Sequence, residues 1–140
     1  MTNIPQFRAY NKSSNQMFEV LQIDFANETI SVRNIVNTLE HFGVFNIAEI
    51  VLMQSTGLHD KNGTEIFQGD VVEFFRQVSH IVFQDGAFWV DQIKISSGNE
   101  HGGELLRDVN KQLKIIGNIH TAPNLYTKTE VTLHSSKDDN

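Results

Sequence analysis

The fold of this chain is set by residues 53–72, which read Met-Gln-Ser-Thr-Gly-Leu-His-Asp-Lys-Asn-Gly-Thr-Glu-Ile-Phe-Gln-Gly-Asp-Val-Val. Asp60 stands at the first position of a four-residue turn, where its carboxylate can accept backbone N–H groups, and Gly63 stands at the fourth. Gly69 and Asp70 repeat this pairing before an apolar run that begins at Val71. The stretch is therefore predicted to be a strand, a tight turn and a second strand.

Three antiparallel strands are predicted after this turn. The run Val71–Phe75 is interpreted as a central strand. The runs Val78–Phe83 and Ala87–Ile95 flank Asp85-Gly86, a dipeptide that is typical of the type I′ turn of a β-hairpin. These strands form a predicted meander, in which alternate side chains point into a core.

The N-terminal part is predicted to begin with another hairpin. Its strands are Met17–Ile23 and Thr29–Val32, which are rich in β-branched and aromatic residues. The run Val44–Gln54 has the apolar density of a strand that is buried on both faces, or of a strand pair. Leu113–Ile119 is predicted to be a closing strand that ends before Pro123.

Two short helices are predicted from apolar residues at helical spacing. The first covers Ile35, Val36, Leu39 and Phe42, and Gly43 follows where a helix C-terminus favours glycine. The second covers Leu105–Leu113. If both helices were longer than these patterns indicate, the domain would be α+β.

The predicted fold class is mainly β, bordering on α+β: an antiparallel meander that forms a partly closed barrel or a strongly bent sheet, with one or two short helices. With 140 residues, 39% hydrophobic, the chain fits a single domain, which we place at residues 1–125. Residues 126–140 are thin in apolar side chains and are predicted to be a mobile tail or an added edge strand.

Composition excludes several classes of protein. The chain has no Cys, which excludes disulfides and thiolate zinc sites. No apolar run approaches the ~20 residues of a membrane span, and the first residues do not resemble a signal peptide. A net charge of -6 opposes general nucleic-acid binding, which depends on Lys and Arg. We therefore expect a cytoplasmic protein.

The sequence contains only weak matches to motifs for metal binding or catalysis. The turn at Asp60 resembles the start of a calcium loop, but its glycine comes too early and Val71 occupies the position of the last ligand. Glu100, His101 and Glu104 could hold a cation if His80 or His120 lay nearby, although solvated loop charges are the favoured interpretation. No motif of a common enzyme is matched, so no catalytic residue and no cofactor is predicted.

An aromatic cluster offers one further hypothesis. Small β-barrels stack single-stranded bases on aromatic side chains that alternate with cations. Four aromatic residues and two cations lie in the central strands, namely Phe74, Phe75, Phe88, Trp89, Arg76 and Lys94. Packing of these aromatic residues in the core is the favoured interpretation.

The motif at residues 53–72 resembles the signature of the YopX family of phage and prophage proteins. Phe7-Arg8-Ala9-Tyr10 with Met17-Phe18 resembles the opening of the family, and Ile115–His120 with Pro123 and Leu125 resembles its ending. The chain departs from the family pattern at Ser55, in the insert Ile35–Phe45, and after Tyr126. The resemblance implies a phage-borne or prophage-borne protein in the cytoplasm of a bacterial host, with a mainly β fold and no established activity.

Six residues match positions of the family motif, and turn geometry already explains each of them: Gly57, Asp60, Gly63, Gly69, Asp70 and Gly117. The leading hypothesis is therefore a phage accessory protein without catalysis, which binds a host or phage protein and self-associates. The alternative is a small-barrel nucleic-acid-binding protein of phage replication or regulation. A second alternative is a metal-dependent hydrolase centred on Glu100, His101 and Glu104.

Overall fold

The computed structural model describes residues 6–91 and 103–121 of the 140-residue chain. The chain divides into two compact units, Met1–Ser55 and Thr56–Asn140. Their strands pair antiparallel, and the described residues contain a single α-helix, which is four residues long. The predicted mainly β fold with a short helix is confirmed.

The first unit is a sheet of antiparallel strands that follow one another along the chain. The strands are β1 (Phe7–Asn11), β2 (Gln16–Asp24), β3 (Thr29–Val36), β4 (Leu39–Asn46) and the first half of β5 (Ile50–His59), and a 3-10 turn, Ile47–Glu49, lies between β4 and β5. Their order across the sheet is β4-β3-β2-β1-β5. The predicted hairpin of Met17–Ile23 and Thr29–Val32 is confirmed as β2 and β3.

Alternation along these strands builds the core of the first unit. Because successive side chains of a strand point to opposite faces, Ile30 and Val32 of β3 share a face, and both are fully buried. Phe45 lies opposite Ile30 in the register, and its ring centroid is 5.4 Å from that of Phe18. The buried cluster contains Ala9, Phe18, Ile30, Val32 and Ile50, with Val20, Ile23 and Phe45 packed against it.

The helix predicted from Ile35 to Phe42 is wrong, because this segment is the turn of a β-hairpin. Val36 of β3 pairs with Leu39 of β4, and only Asn37 and Thr38 lie between them. Their φ angles of 53° and 66° are those of a type I′ turn. Ile35 and Val36 are β-branched and therefore suit a strand. The apolar residues fit helical spacing only because a two-residue turn interrupts the strand pattern.

The second unit contains the predicted meander. Its elements are the second half of β5, β6 (Glu65–Phe67), β7 (Asp70–Phe74), β8 (Gln77–Gln84), β9 (Ala87–Val90), β10 (Glu104–Leu105), α1 (Leu106–Val109), a 3-10 turn (Asn110–Gln112) and β11 (Lys114–Asn118). One sheet has the order β10-β9-β8-β7-β11, and β6 lies beside β5 in the other sheet. The central strand, the Asp85-Gly86 hairpin and the closing strand are confirmed.

The core of the second unit lies between this sheet and the short helix. Leu106, Val109 and Leu113 of the predicted helical segment are buried, although only Leu106–Val109 is α-helical. They pack against strand residues of the meander. The buried cluster contains Ile66, Val72, Phe74, Ile81, Val90, Leu106, Val109 and Leu113.

The predicted closure into a barrel is not confirmed. In a closed barrel the first and last strands of the sheet pair with each other. Within residues 6–91 and 103–121, one sheet ends in β4 and β6 and the other ends in β10 and β11, so both remain open. Register shifts, typical of β-bulges that bend a strand, occur between Val20 and Gln22 and between Ile115 and Gly117.

Two sequence predictions concern regions that the structure does not cover. Residues 126–140, predicted to be a tail or an edge strand, lie outside the described residues. The single-domain boundary at residue 125 therefore stays a prediction. Among the described residues, no helix has the length and apolar character needed to cross a membrane.

Replacing Thr38 by glycine tests the corrected hairpin. Thr38 is β-branched and has a φ of 66°, a conformation that glycine adopts without a steric cost. We expect Thr38→Gly to raise the free energy of unfolding by about 0.5–1 kcal/mol, because it creates the Asn-Gly pair that type I′ turns prefer. Chemical denaturation measures the change.

The matched control is Thr29→Gly, which places the same substitution within β3. Thr29 pairs with Asp24 and Asn46 in the strand ladder. We expect a loss of stability there, since Thr29 is paired on both sides and glycine costs more conformational entropy and has no side chain to pack. A loss of stability in both variants would contradict the hairpin turn at residues 37–38.

Candidate functional site

The carboxylate of Asp60 lies at the centre of a set of hydrogen bonds in the motif at residues 53–72. Its carboxylate belongs to a residue that is only 5% exposed, and it accepts three backbone N–H groups. Oδ1 accepts from Asn62 and Thr64, both at 2.9 Å, and Oδ2 accepts from Ile115 at 3.0 Å. The first two bonds close the turn on itself. The third bond ties the turn to β11, which is 55 residues away along the chain.

These bonds keep the Asp60 carboxylate ionised. Burial raises the pKa of Asp60, but the N–H donors of Ile115, Thr64 and Asn62, together with the charge of Lys61, lower it by more. The net pKa therefore lies below the usual range of an aspartate. A carboxylate that is held ionised, and whose oxygens point at N–H groups, is suited to a structural role and not to a proton transfer.

Asp70 and the motif glycines also occupy structural positions. Asp70 is 2% exposed, and its Oδ2 accepts the N–H of Phe67 at 2.8 Å. Gly63 has a φ of 82° and donates its N–H to the carbonyl of Asp60, so a side chain there would be strained. Gly57 and Gly69 also have positive φ angles, and Gly117 lies at the register shift of β11.

The chain forms a second set of contacts that the sequence did not indicate. Asn110 is buried and donates from Nδ2 to the carbonyl of His59 at 2.7 Å. The N–H of Lys61 donates to the carbonyl of Leu113 at 2.9 Å. Backbone and side-chain hydrogen bonds therefore connect the turn at Asp60 to residues 110–115. No local sequence signal marks Asn110, because its partner is distant in the chain.

The weak candidates for metal binding form no metal site in the described part of the chain. Glu100 and His101 lie outside the described residues. Glu104 lies in β10 opposite Val90, His80 lies in β8 opposite Val71, and His120 follows β11. No group of three or more His, Cys, Asp or Glu residues with metal-binding geometry occurs within residues 6–91 and 103–121.

The predicted aromatic platform is divided between two environments. Phe74 is 3% exposed and belongs to the core, as the packing interpretation predicted. Phe88 packs against the same core, whereas its neighbour Trp89 points to the other face of β9. Phe75 is exposed in the turn between β7 and β8. Lys94 lies outside the described residues. These rings do not form one stacking surface.

An apolar cavity lies in the second unit. It has a volume of 260 Å³, and its described lining is Leu58, Ala87, Phe88, Leu105, Leu106 and Arg107. Active sites usually combine an apolar cleft with a few convergent polar groups. The described lining of this cavity brings no nucleophile and general base together, so it does not indicate an active site.

The hairpin of β3 and β4 exposes a group of apolar side chains. Five of its aliphatic and aromatic side chains are exposed, and we name them the apolar arm: Ile35 (66% exposed), Val36 (39%), Leu39 (64%), Phe42 (66%) and Val44 (66%). By strand alternation, Ile35, Phe42 and Val44 lie on one face of the hairpin, and Val36 and Leu39 lie on the other. Exposed apolar side chains that are gathered in one part of a soluble protein mark a protein contact. The sequence analysis missed this surface, because it assigned Ile35, Val36, Leu39 and Phe42 to a helix and Val44 to a buried strand.

The tip of the arm has only two strands. β2 pairs with β3 from Thr29 to Arg33, whereas Asn34–Val36 pairs only with Leu39–His41 of β4. An isolated two-stranded ribbon is marginally stable in water. Arg33 stabilises its base through Glu19 at 2.6 Å, and Glu40 lies 3.7 Å away. Ile35, Val36 and Leu39 lie beyond this ion pair and are exposed, so they contribute little to the fold of a single chain.

Comparisons with known proteins confirm the predicted resemblance. The sequence profile of the YopX protein family matches residues 6–127. The chain is also similar to a solved structure, protein EF1440 from Enterococcus faecalis. The two chains are 26% identical with a TM-score of 0.60, and the match covers 89% of this chain and 99% of that one. No curated protein matches the sequence. Neither name states an activity.

Replacing Asp60 by asparagine tests its structural role. The asparagine side chain keeps one acceptor oxygen but turns an amide N–H₂ toward the N–H of Ile115, which loses its partner. We expect Asp60→Asn to lower the free energy of unfolding by about 1–3 kcal/mol, because the part-buried N–H of Ile115 is left without an acceptor. Asp24→Asn is the control, since Asp24 bonds within its own exposed turn, to Asn27. A loss as large at Asp24 as at Asp60 would contradict this role.

The lowered pKa of Asp60 also predicts how stability depends on pH. The folded pKa is below the unfolded one, so the stabilisation by Asp60 is complete above the unfolded pKa and is lost as pH falls through the folded pKa. We expect the difference in unfolding free energy between the wild type and Asp60→Asn to shrink as pH falls below about 4. Denaturant titrations at a series of pH values measure it. A difference that grew toward acid pH would contradict the assignment.

Proposed function

We propose that this chain, which belongs to the YopX family, is a protein-binding module that works without catalysis. The apolar arm of β3 and β4 is the binding surface in this proposal. One observation carries it: large apolar side chains lie exposed on an edge strand, where another protein chain can cover them and continue the sheet.

The motif carboxylates support a role without catalysis. Asp60 and Asp70 direct their oxygens at backbone N–H groups. A general acid or base needs to reach a substrate proton, and its pKa is usually brought toward neutral pH. Asp60 has the opposite shift, because its pKa is lowered. The motif therefore supports a scaffold that presents the arm.

The charge of the chain supports a protein partner in preference to a nucleic acid. The net charge is -6, and Arg33 at the base of the arm is already engaged with Glu19 and Glu40. Nucleic-acid binding depends on cations that neutralise phosphates. The family resemblance supports a role in phage growth, in the cytoplasm of a bacterial host.

Affinity capture tests this function. The tagged protein is captured from host cells during phage growth, with and without nuclease, and retained proteins are identified by mass spectrometry. We expect at least one protein to survive nuclease treatment and to be lost from the double variant Leu39→Lys/Val44→Lys. The reason is that charges on the arm oppose burial of its apolar surface.

The matched control is Phe25→Lys, which places a lysine at a side chain that is 79% exposed but outside the arm. This variant should retain the same proteins as the wild type. If the arm variant retains them equally, the arm is not the binding surface. If retention disappears with nuclease, the nucleic-acid alternative is favoured.

A further inference from the structure

The backbone of β4 presents regular unpaired groups along the sheet edge. The N–H of Ile47 donates to the carbonyl of Glu28 at 2.9 Å, in line with the ladder in which Thr29 pairs with Asn46. Hydrogen-bonded and non-hydrogen-bonded pairs alternate in an antiparallel ladder. The residues of β4 that bond to β3 are therefore Leu39, His41, Gly43 and Phe45. The groups that point away from β3 belong to Glu40, Phe42, Val44 and Asn46.

This edge has few of the features that protect edge strands. Soluble proteins protect an edge with Lys, Pro, a β-bulge or a covering segment. β4 contains neither Lys nor Pro, and its register with β3 runs from Asn46 to Leu39 without a shift. In the described part of the chain, no strand pairs with its outer edge. The edge is thus suited to accept a strand.

We propose that the strand it accepts is β4 of a second copy of this chain, paired antiparallel about a two-fold axis that lies midway between the two Gly43 residues. This inference rests on the proposed function, because it names a partner for the same arm. A two-fold pairing of identical edges is self-complementary, so each N–H that points outward in one copy meets a carbonyl of the other.

Side-chain matching selects this register. With the axis at Gly43, Phe42 of each copy lies opposite Val44 of the other, which is a favourable aromatic and β-branched pair. Glu40 then lies opposite Asn46, so polar side chains meet polar side chains. With the axis at Phe42, Glu40 would lie opposite the apolar Val44. The first register leaves no charged side chain opposite an apolar one among these outward residues.

The exposed area agrees with a dimer contact. The five side chains of the apolar arm expose on the order of 500 Å², compared with the ~800 Å² that each partner buries in a standard interface. Edge pairing covers the part of this area that borders the outer edge of β4, at Phe42 and Val44. Hydrogen bonds between the two β4 strands add to this contact.

A single introduced cysteine tests both the contact and its register, because the chain has no cysteine of its own. Gly43 would lie opposite Gly43 of the second copy as a non-hydrogen-bonded pair, with Cα atoms ~4.5 Å apart, a separation that a disulfide can bridge. A Cβ at residue 43 has room, since its nearest neighbours are atoms of Val32 and Phe45 at 3.8–3.9 Å. We expect Gly43→Cys to form a disulfide-linked dimer under mild oxidation.

The matched control is Phe25→Cys, which places the thiol in an exposed turn outside the arm. Cross-linking of Gly43→Cys should be roughly ten-fold faster, or more, than cross-linking of Phe25→Cys at the same micromolar concentration, because pairing holds the two thiols together. Adding Val44→Lys should slow it to the rate of Phe25→Cys, because lysine would face Phe42 of the other copy. Equal rates for the two single-cysteine variants would overturn the proposal.

Light scattering on the protein without cysteine gives an independent readout. We expect the wild type to have twice the mass of one chain at micromolar concentration, and Val44→Lys to have the mass of a single chain with an unchanged circular dichroism spectrum. A monomeric wild type at about 100 micromolar would overturn the dimer. In that case, capture of another protein that still depended on the arm would leave the proposed function standing. If neither protein capture nor dimer formation depended on the arm, both the proposed function and the dimer would be ruled out.

Discussion

The three hydrogen bonds that Asp60 accepts are the interaction on which the second unit depends. Two of them close the turn after β5, and the third holds β11 against that turn. Because β11 is the neighbour of β7 in the sheet, the same carboxylate connects the turn to the meander. Asp60 satisfies part-buried backbone donors, which would be costly to leave without a partner. The motif at residues 53–72 therefore stabilises the fold.

The same rule, that backbone groups need partners, distinguishes the motif from the arm. Around Asp60 and Asp70 the donors described above are satisfied by side chains of the motif. Along β4 the outward groups have no strand beside them in the described residues. The arm also lies in the segment Ile35–Phe45, where the sequence analysis expects a departure from the family pattern. In the proposed function, the motif supplies the scaffold and the arm supplies the binding surface.

The turns at Asp60 and at Asp85 were predictable from the sequence, because their chemistry is local. Asp60 with Gly63, and Asp85 with Gly86, require short polar side chains and positive φ angles that few other residues supply. The bond from Asp60 to Ile115 was not predictable, since it depends on a strand 55 residues away. The arm was predicted wrongly for another reason. Its apolar residues are exposed and lie on both sides of a turn. Their helical spacing therefore does not indicate one buried face of a helix.

The central claim is that the outward edge of β4 is paired in solution. Residue-resolved amide hydrogen exchange, measured by NMR across a range of protein concentrations, tests it directly. The account predicts that protection of the outward amides, those of Glu40, Phe42, Val44 and Asn46, rises with concentration. The amides of Gly43 and Phe45 should be protected at every concentration, because they bond to β3. Fast exchange of the outward amides at all concentrations would contradict the claim.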